Sequence, residues 1–111
     1  MKYFLLLFFI PLYLFADAKV FVYHRFDDFK HNSTNTSLKV LRENFEYFKK
    51  NGYEVVSLHK ILEKLKNQEE IPSNWVALTI DDAYKSFYTN GLKLFKEYNY
   101  PFTLFVYVEE T

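Results

Sequence analysis

Two adjacent carboxylates are the residues of this chain best suited to chemistry. Asp81 and Asp82 directly follow Trp75–Ile80 (WVALTI), a continuous apolar run typical of a strand covered on both faces. Neighbouring carboxylates repel each other, and a bound cation or a shared proton relieves that repulsion. A metal ion that one carboxylate ligates while the other acts as a base would use both. In the alternative interpretation, Asp82 caps a helix that begins at Tyr84 and Asp81 is only solvated.

A second polar group follows the first predicted strand. Its members are His24, Arg25, Asp27 and Asp28. In parallel α/β folds the functional groups collect at the carboxyl ends of the strands, where the loops converge. We expect His24 either to contact substrate or metal or simply to pack. Arg25 is expected either to orient a carboxylate at this edge or to form a salt bridge with one of the two nearby aspartates.

A sheet must position these groups, and the chain predicts alternating strands and helices. The predicted strands are residues 19–24, 53–57, 75–80 and 102–108. The first predicted helix starts at Leu38 after a Ser37 or Thr36 cap, carries Leu41, Phe45 and Phe48, and ends near Gly52. The apolar stripe of the second predicted helix consists of Leu58, Ile61, Leu62 and Leu65. The stripe of the third predicted helix consists of Tyr84, Phe87, Tyr88, Phe95 and Tyr98. Gly91 lies on the same stripe and allows close approach of a neighbouring element. Residues 26–37 predict a long polar loop. The alternation predicts right-handed crossovers and a parallel sheet, open or closing toward a barrel.

Composition excludes several classes of protein. The chain has 111 residues, with 14 Lys plus Arg and 14 Asp plus Glu, so its formal net charge is zero. This balance gives no reason to expect nucleic acid or an anionic membrane as a partner. The absence of cysteine excludes disulfides, thiolate nucleophiles and zinc fingers. The 13 Phe, 10 Tyr and 1 Trp suit either a core or a sugar-binding face.

Residues 1–18 predict a secretory signal peptide. Lys2 is followed by the uncharged apolar run Tyr3–Phe15, and Ala16, Asp17 and Ala18 fit a small-x-small cleavage pattern. The run is shorter than the roughly 20 apolar residues of a membrane-spanning helix. We therefore expect export, with residues 19–111 forming the mature part, and an uncleaved anchor as the alternative.

Several segments together resemble the polysaccharide deacetylases of the NodB-homology type, also called carbohydrate esterase family 4. The run TIDDAY at Thr79–Tyr84 resembles their first motif, and YHRF at Tyr23–Phe26 resembles their first-strand signature. NGYEVVSLHKILEKL at 51–65 and YPFTLFVYV at 100–108 resemble the segments around the motif. The branch it resembles most is the exported deacetylases of poly-N-acetylglucosamine. This resemblance implies an incomplete parallel (β/α) barrel, of which residues 19–111 would form about four βα units.

The resemblance also implies roles for individual residues. Asp81 would be the general base that activates water, and Asp82 would ligate a divalent metal ion, zinc. His24, Arg25 and Tyr84 would contact the substrate, an N-acetylated glycan. The motif departs from the usual family pattern at Ile80, which replaces Phe, and at Ala83, which replaces Gly. Ala83 is tolerable only if the turn does not require a positive φ.

The family's remaining metal ligands are two histidines in an H-S/T-x-x-H motif, and no such motif is present in these 111 residues. The histidines are His24, His31 and His59, of which the last two are expected to lie on the surface. One carboxylate cannot hold a catalytic zinc ion tightly. We therefore expect the chain to be the front part of a deacetylase and to be inactive alone.

Two other classes of protein also place paired aspartates at a strand end. A phospho-acceptor receiver module does so, but the predicted export, the position of the pair after the third strand and the absence of a later strand-end lysine oppose it. An exported, non-catalytic glycan-binding remnant is the other alternative, in which the aromatic side chains stack on sugar rings.

Overall fold

The computed structural model of this chain describes residues 18–106. Its strands are β1 (Val20–Tyr23), β2 (Arg25–Phe26), β3 (Asn35–Thr36), β4 (Glu54–Val56), β5 (Trp75–Asp81) and β6 (Thr103–Phe105). Its α-helices are α1 (Leu38–Lys50), α2 (Leu58–Lys66) and α3 (Leu92–Glu97), and a π-helix at Phe87–Gly91 precedes α3. The predicted signal peptide lies outside these residues except for Ala18. No helix of the described part has the length and apolar character needed to span a bilayer.

Strand β5 is the centre of the main sheet. It pairs in parallel with β1 along Ala77–Ile80, with β4 along Trp75–Ala77 and with β6 along Thr79–Asp81. Helices α1 and α2 and the segment leading into α3 connect these strands. The predicted fold class, a parallel α/β arrangement forming part of a barrel, is therefore confirmed.

Alternate residues of β5 face two separate cores, as the two-residue period of a strand requires. Val76, Leu78 and Ile80 belong to an aromatic core, in which Phe26, Phe45, Phe87 and Phe95 are fully buried. Ala77 belongs to a smaller core with Val56, Ile61 and Ile71. Both faces of β5 are thus covered, as its unbroken apolar sequence predicts, and many of the aromatic residues serve the core.

Helix α1 forms as predicted. The Ser37 hydroxyl accepts a hydrogen bond from the Val40 amide at 3.1 Å, and Leu41, Phe45 and Phe48 are buried. Gly52, just beyond the helix, has a φ of 73°, the left-handed conformation that suits glycine after a helix end. Helix α2 also forms with a serine cap, Ser57, but only Ile61 of its predicted apolar stripe is buried.

Two predictions about local structure are wrong in part. The polar segment 26–37 is an ordered element: β2 and β3 pair in parallel, and a 3-10 turn at Asn32–Thr34 connects them. The predicted third helix is not one continuous α-helix, because a π-helix at Phe87–Gly91 interrupts it after residues 85–86, and Tyr84 precedes the helical segment. The wider turn changes the register, so Phe87 and Phe95 are buried whereas Tyr88 is 51% exposed.

Candidate active site

The parallel register of β1 and β5 brings the two predicted polar groups together. Tyr23 is opposite Ile80, so the next residues along the strands, His24 and Asp81, are neighbours at the carboxyl edge. The distance from His24 Nε2 to Asp81 Oδ2 is 3.6 Å, and both side chains are about one-third exposed, at 34% and 39%. A titratable acid and a titratable imidazole therefore share one open edge of the sheet.

Asp81 and Asp82 differ in their surroundings because the strand ends between them. Asp81 is the last residue of β5 and by alternation shares the face of Ala77 and Thr79. Asp82 lies in the following turn, where its amide donates to the Phe105 carbonyl at 2.8 Å and its side chain is exposed. Of the two interpretations of this pair, the helix cap has no support, since the helical segment starts beyond Tyr84 and no side chain of the described residues caps it.

The turn after the aspartates is left-handed. Asp82 has a φ of 68° and Ala83 a φ of 46°. Aspartate visits this region more readily than alanine, whose Cβ crowds the neighbouring carbonyl. Ala83 is expected to be tolerable only if the turn does not require a positive φ. The turn does adopt a positive φ, so the alanine is strained at a position where the related motif has glycine.

Arg25 and Tyr84 are stacked on each other beside the aspartates. The Arg25 guanidinium lies 3.6 Å from the centroid of the Tyr84 ring, a cation–π geometry. The Tyr84 hydroxyl donates a long hydrogen bond of 3.5 Å to Asp82 Oδ2. Arg25 also pairs with Asp28 at 3.3 Å and donates from Nε to Thr34 Oγ1 at 3.1 Å. Arg25 is thus tied to the loop as well as to the edge that carries the aspartates.

The other members of the polar groups have structural partners. The Asp27 carboxylate accepts from the Leu38 amide at 2.9 Å, at the start of α1. Asp28 accepts from His31 at 3.1 Å, and His59 lies near Glu63 on the exposed face of α2. His31 and His59 are therefore surface residues, as expected.

A metal site is not complete in the described part of the chain. Within residues 18–106, no three His, Cys, Asp or Glu side chains come together in a way that could hold an ion. Asp81, Asp82 and His24 lie near one another at the edge, but they are not arranged around one point as the three protein ligands of a catalytic zinc ion are. The residues present do not fit a metal ion by themselves.

Ser86 and Asn90 also contribute to this region, and the sequence analysis did not single them out. Ser86 Oγ accepts from the Phe26 amide at 3.0 Å, and Asn90 Nδ2 donates to the Phe26 carbonyl at 2.9 Å. The only local signal is that these polar residues are spaced four apart on a predicted helix.

The described residues form a parallel α/β sheet with paired aspartates at its carboxyl edge, and comparisons with known proteins show which proteins it is similar to. The polysaccharide deacetylase family model matches residues 68–110. The poly-β-1,6-N-acetyl-D-glucosamine N-deacetylase of Escherichia coli strain K12 is 38% identical over 61 residues, which is 55% of this chain and 9% of that protein. The same enzyme of Escherichia coli O157:H7 matches equally. The chain thus aligns with only a small part of the curated relatives.

Solved structures of deacetylases are also similar to this chain. A de-N-acetylase from Aggregatibacter actinomycetemcomitans is 28% identical with a TM-score of 0.66, over 78% of this chain and 36% of that one. The Streptococcus pyogenes deacetylase PplD, solved with acetate, has a TM-score of 0.69 at 21% identity, over 80% of this chain and 42% of that one, and shows the shared fold. The chain is thus similar to polysaccharide deacetylases in sequence and in fold over the matched residues. This similarity favours the deacetylase hypothesis over the receiver module.

Proposed function

We propose that the complete protein to which this chain belongs hydrolyses N-acetyl groups of an exported polysaccharide, poly-N-acetylglucosamine or a related cell-envelope glycan. The relatives named above are N-deacetylases, which supports this reaction class. The observation that carries the proposal is the meeting of Asp81, Asp82 and His24 at one sheet edge, and the two aspartates lie within the segment that the family model matches.

In this proposal Asp81 is the general base. Its carboxylate ends a strand that pairs with three others and is partly open to solvent, so it can accept a proton from a water molecule that attacks the amide carbon. His24 lies within reach of the same carboxylate and can hold or move a proton at its Nε2 atom. Acetate leaves, and a free amine remains on the glycan. Arg25 and Tyr84 are proposed to contact the substrate.

The family generally depends on a metal ion. We propose that Asp82 supplies one of its ligands and that two histidines outside these 111 residues supply the others, with zinc as the metal. A zinc ion in such enzymes polarises a carbonyl and lowers the pKa of water. Because the described residues do not assemble a site of three donors, the chain alone is proposed to be inactive. The signal-peptide pattern of residues 1–18 supports export to the periplasm or cell envelope.

Substitution of the proposed base tests this function. In the complete protein, Asp81→Asn should lower the rate of acetate release from N-acetylglucosamine oligomers by about 10²–10⁴-fold, the usual contribution of a general base. The matched control is Glu70→Gln, which neutralises an exposed carboxylate on the α2–β5 connector and should leave the rate unchanged. Oligomer binding should survive both substitutions. Unchanged acetate release by Asp81→Asn would contradict the assignment, and binding without any release by the wild type would favour the glycan-binding alternative.

A further inference from the structure

The backbone of Phe26 is held by two side chains from a distant part of the sequence. Its amide donates to Ser86 Oγ at 3.0 Å, and its carbonyl accepts from Asn90 Nδ2 at 2.9 Å. The next amide, that of Asp27, donates instead to Thr36 on β3 at 3.1 Å. Because backbone groups alternate between the two edges of a strand, the polar groups of Phe26 face away from β3. Ser86 and Asn90 thus occupy the place of a neighbouring strand.

The Phe26 side chain is held by the same helical segment. Its ring is fully buried and lies against Gly91, where an added Cβ would be 2.8 Å from Phe26 Cγ. Phe87, one turn earlier, packs on the ring with centroids 5.7 Å apart. The π-helix at Phe87–Gly91 therefore contacts Phe26 through its backbone and its ring, a pair of constraints that leaves this residue little freedom to shift.

These contacts connect the two halves of the candidate site. Phe26 follows His24 and Arg25 directly, and Ser86 follows the turn that carries Asp81 and Asp82. Since His24 lies between β1 and β2, its position relative to Asp81 depends on where β2 is held. π-helical turns are rare and often occur at functional sites.

We propose that Ser86 and Asn90 are positioning residues, which act through the Phe26 backbone to hold His24 and Arg25 against Asp81 and Tyr84. This inference rests on the proposed deacetylase function, but it gives a role to two residues that lie outside the family motif. Neither side chain is proposed to touch substrate.

Kinetics of the complete protein test the proposal. Ser86→Ala combined with Asn90→Ala should lower kcat for acetate release about 10–100-fold, because displacements near 1 Å cost rates of this order. KM should rise by a smaller factor than kcat falls, since the displaced groups include His24 beside the proposed base as well as Arg25, a proposed substrate contact. Ser86→Thr keeps the acceptor hydroxyl and should retain most of the activity.

Thr89→Ala is the matched control. Its hydroxyl donates to the Lys85 carbonyl within the same helical segment at 3.2 Å and lies on an exposed residue. This variant should keep the wild-type kcat. An unchanged kcat in the double variant, or an equal loss in Thr89→Ala, would overturn the positioning role. If the double variant does not fold, the comparison of Ser86→Ala with Ser86→Thr decides the question in the same way.

A crystal structure of the double variant separates this proposal from the proposed function. The distance between His24 Nε2 and Asp81 Oδ2, 3.6 Å in the wild type, should increase. If the wild-type protein releases no acetate, the proposed function fails, and this distance alone then decides the positioning role. An unchanged distance would overturn the role whatever the activity.

Discussion

Ala83 is the residue at which the local conformation and the residue type disagree most clearly. It follows Asp82 in a turn of positive φ, at 46°. This conformation costs a non-glycine residue about 1–2 kcal/mol in the folded state. Glycine avoids that cost, but it lowers the free energy of unfolding by about 0.5–1 kcal/mol because it makes the unfolded chain more flexible. The turn that presents the proposed metal ligand is therefore strained.

Ala83→Gly should relieve that strain. We expect the free energy of unfolding to rise by about 0.5–1 kcal/mol, the difference between the two costs, as measured by urea denaturation. Gly52→Ala is the reverse control, because Gly52 has a φ of 73° and an added Cβ there meets nothing within 4 Å. It should destabilise by about 1 kcal/mol through conformation alone. A decrease in stability for Ala83→Gly would show that the turn does not hold this φ in solution.

Asp28 is the residue whose charge matters most to the folded loop. Desolvation on its own would raise the pKa of Asp28, but hydrogen bonds from His31, the Lys30 amide and Arg25 together hold it below the usual value. A carboxylate with a lowered pKa in the folded state stabilises above its unfolded pKa, about 3.9. That stabilisation is lost as the pH falls through the folded pKa.

Asp28→Asn should therefore make unfolding less dependent on pH in the acid range. The urea midpoints of wild type and variant should differ near pH 5, and the difference should shrink below about pH 4. Glu70→Gln, on the exposed connector, should follow the wild-type curve. A difference that persists to the lowest pH would assign the effect to lost packing and not to ionisation.

At the scale of the elements, the contact between the π-helix and β2 restricts which residue can occupy position 91 at the start of α3. Gly91 has a helical φ of −75°, so conformation does not require glycine at this position. The close approach of Phe26 does, because a Cβ would lie 2.8 and 2.9 Å from two ring carbons of a fully buried side chain.

Gly91→Ala should therefore destabilise the chain although alanine favours helices. Overpacking lowers the free energy of unfolding by about 1–3 kcal/mol, whereas the higher helix propensity of alanine raises it by at most about 1 kcal/mol. In a Phe26→Leu background the smaller side chain should reduce the cost of Gly91→Ala. A double-mutant cycle by urea denaturation measures this coupling. If the changes in the free energy of unfolding caused by the two substitutions are additive, the Phe26 ring and residue 91 are not in steric contact.

At the scale of the whole molecule, the described residues form one side of a barrel. Val20, Phe21 and Val22 of β1 are 41%, 41% and 52% exposed, and β1 pairs only with β5 among residues 18–106. An exposed apolar edge strand favours association with another chain. The edge that carries Asp81 and Asp82 is also open, since groups from few strands of the described part reach it.

The 111-residue chain should release no acetate from N-acetylglucosamine oligomers, even with added zinc or cobalt. The physical reason is that the donors at the edge do not come together in a group that could hold the ion, so no metal polarises the amide. The measurement is an acetate assay with the complete protein as the positive control. Clear turnover by the 111-residue chain would refute the inactivity.

Local patterns in the sequence determined several elements and the location of the acids. Ser37, Leu41, Phe45 and Phe48 predicted α1, and the run at 75–80 predicted a buried strand ending in Asp81. Such signals lie within one or two turns, or one strand, of the residues they describe. The family resemblance added the roles of the acids, which remain proposals.

Only the tertiary structure decided how the site is assembled. The register of β1 on β5 placed His24 beside Asp81, and the contacts of Ser86 and Asn90 with Phe26 join residues 60 and 64 positions apart. The π-helix at Phe87–Gly91 packs against Phe26 through contacts of the same kind. These features are stabilised by groups that are distant along the chain, so no local periodicity or propensity records them.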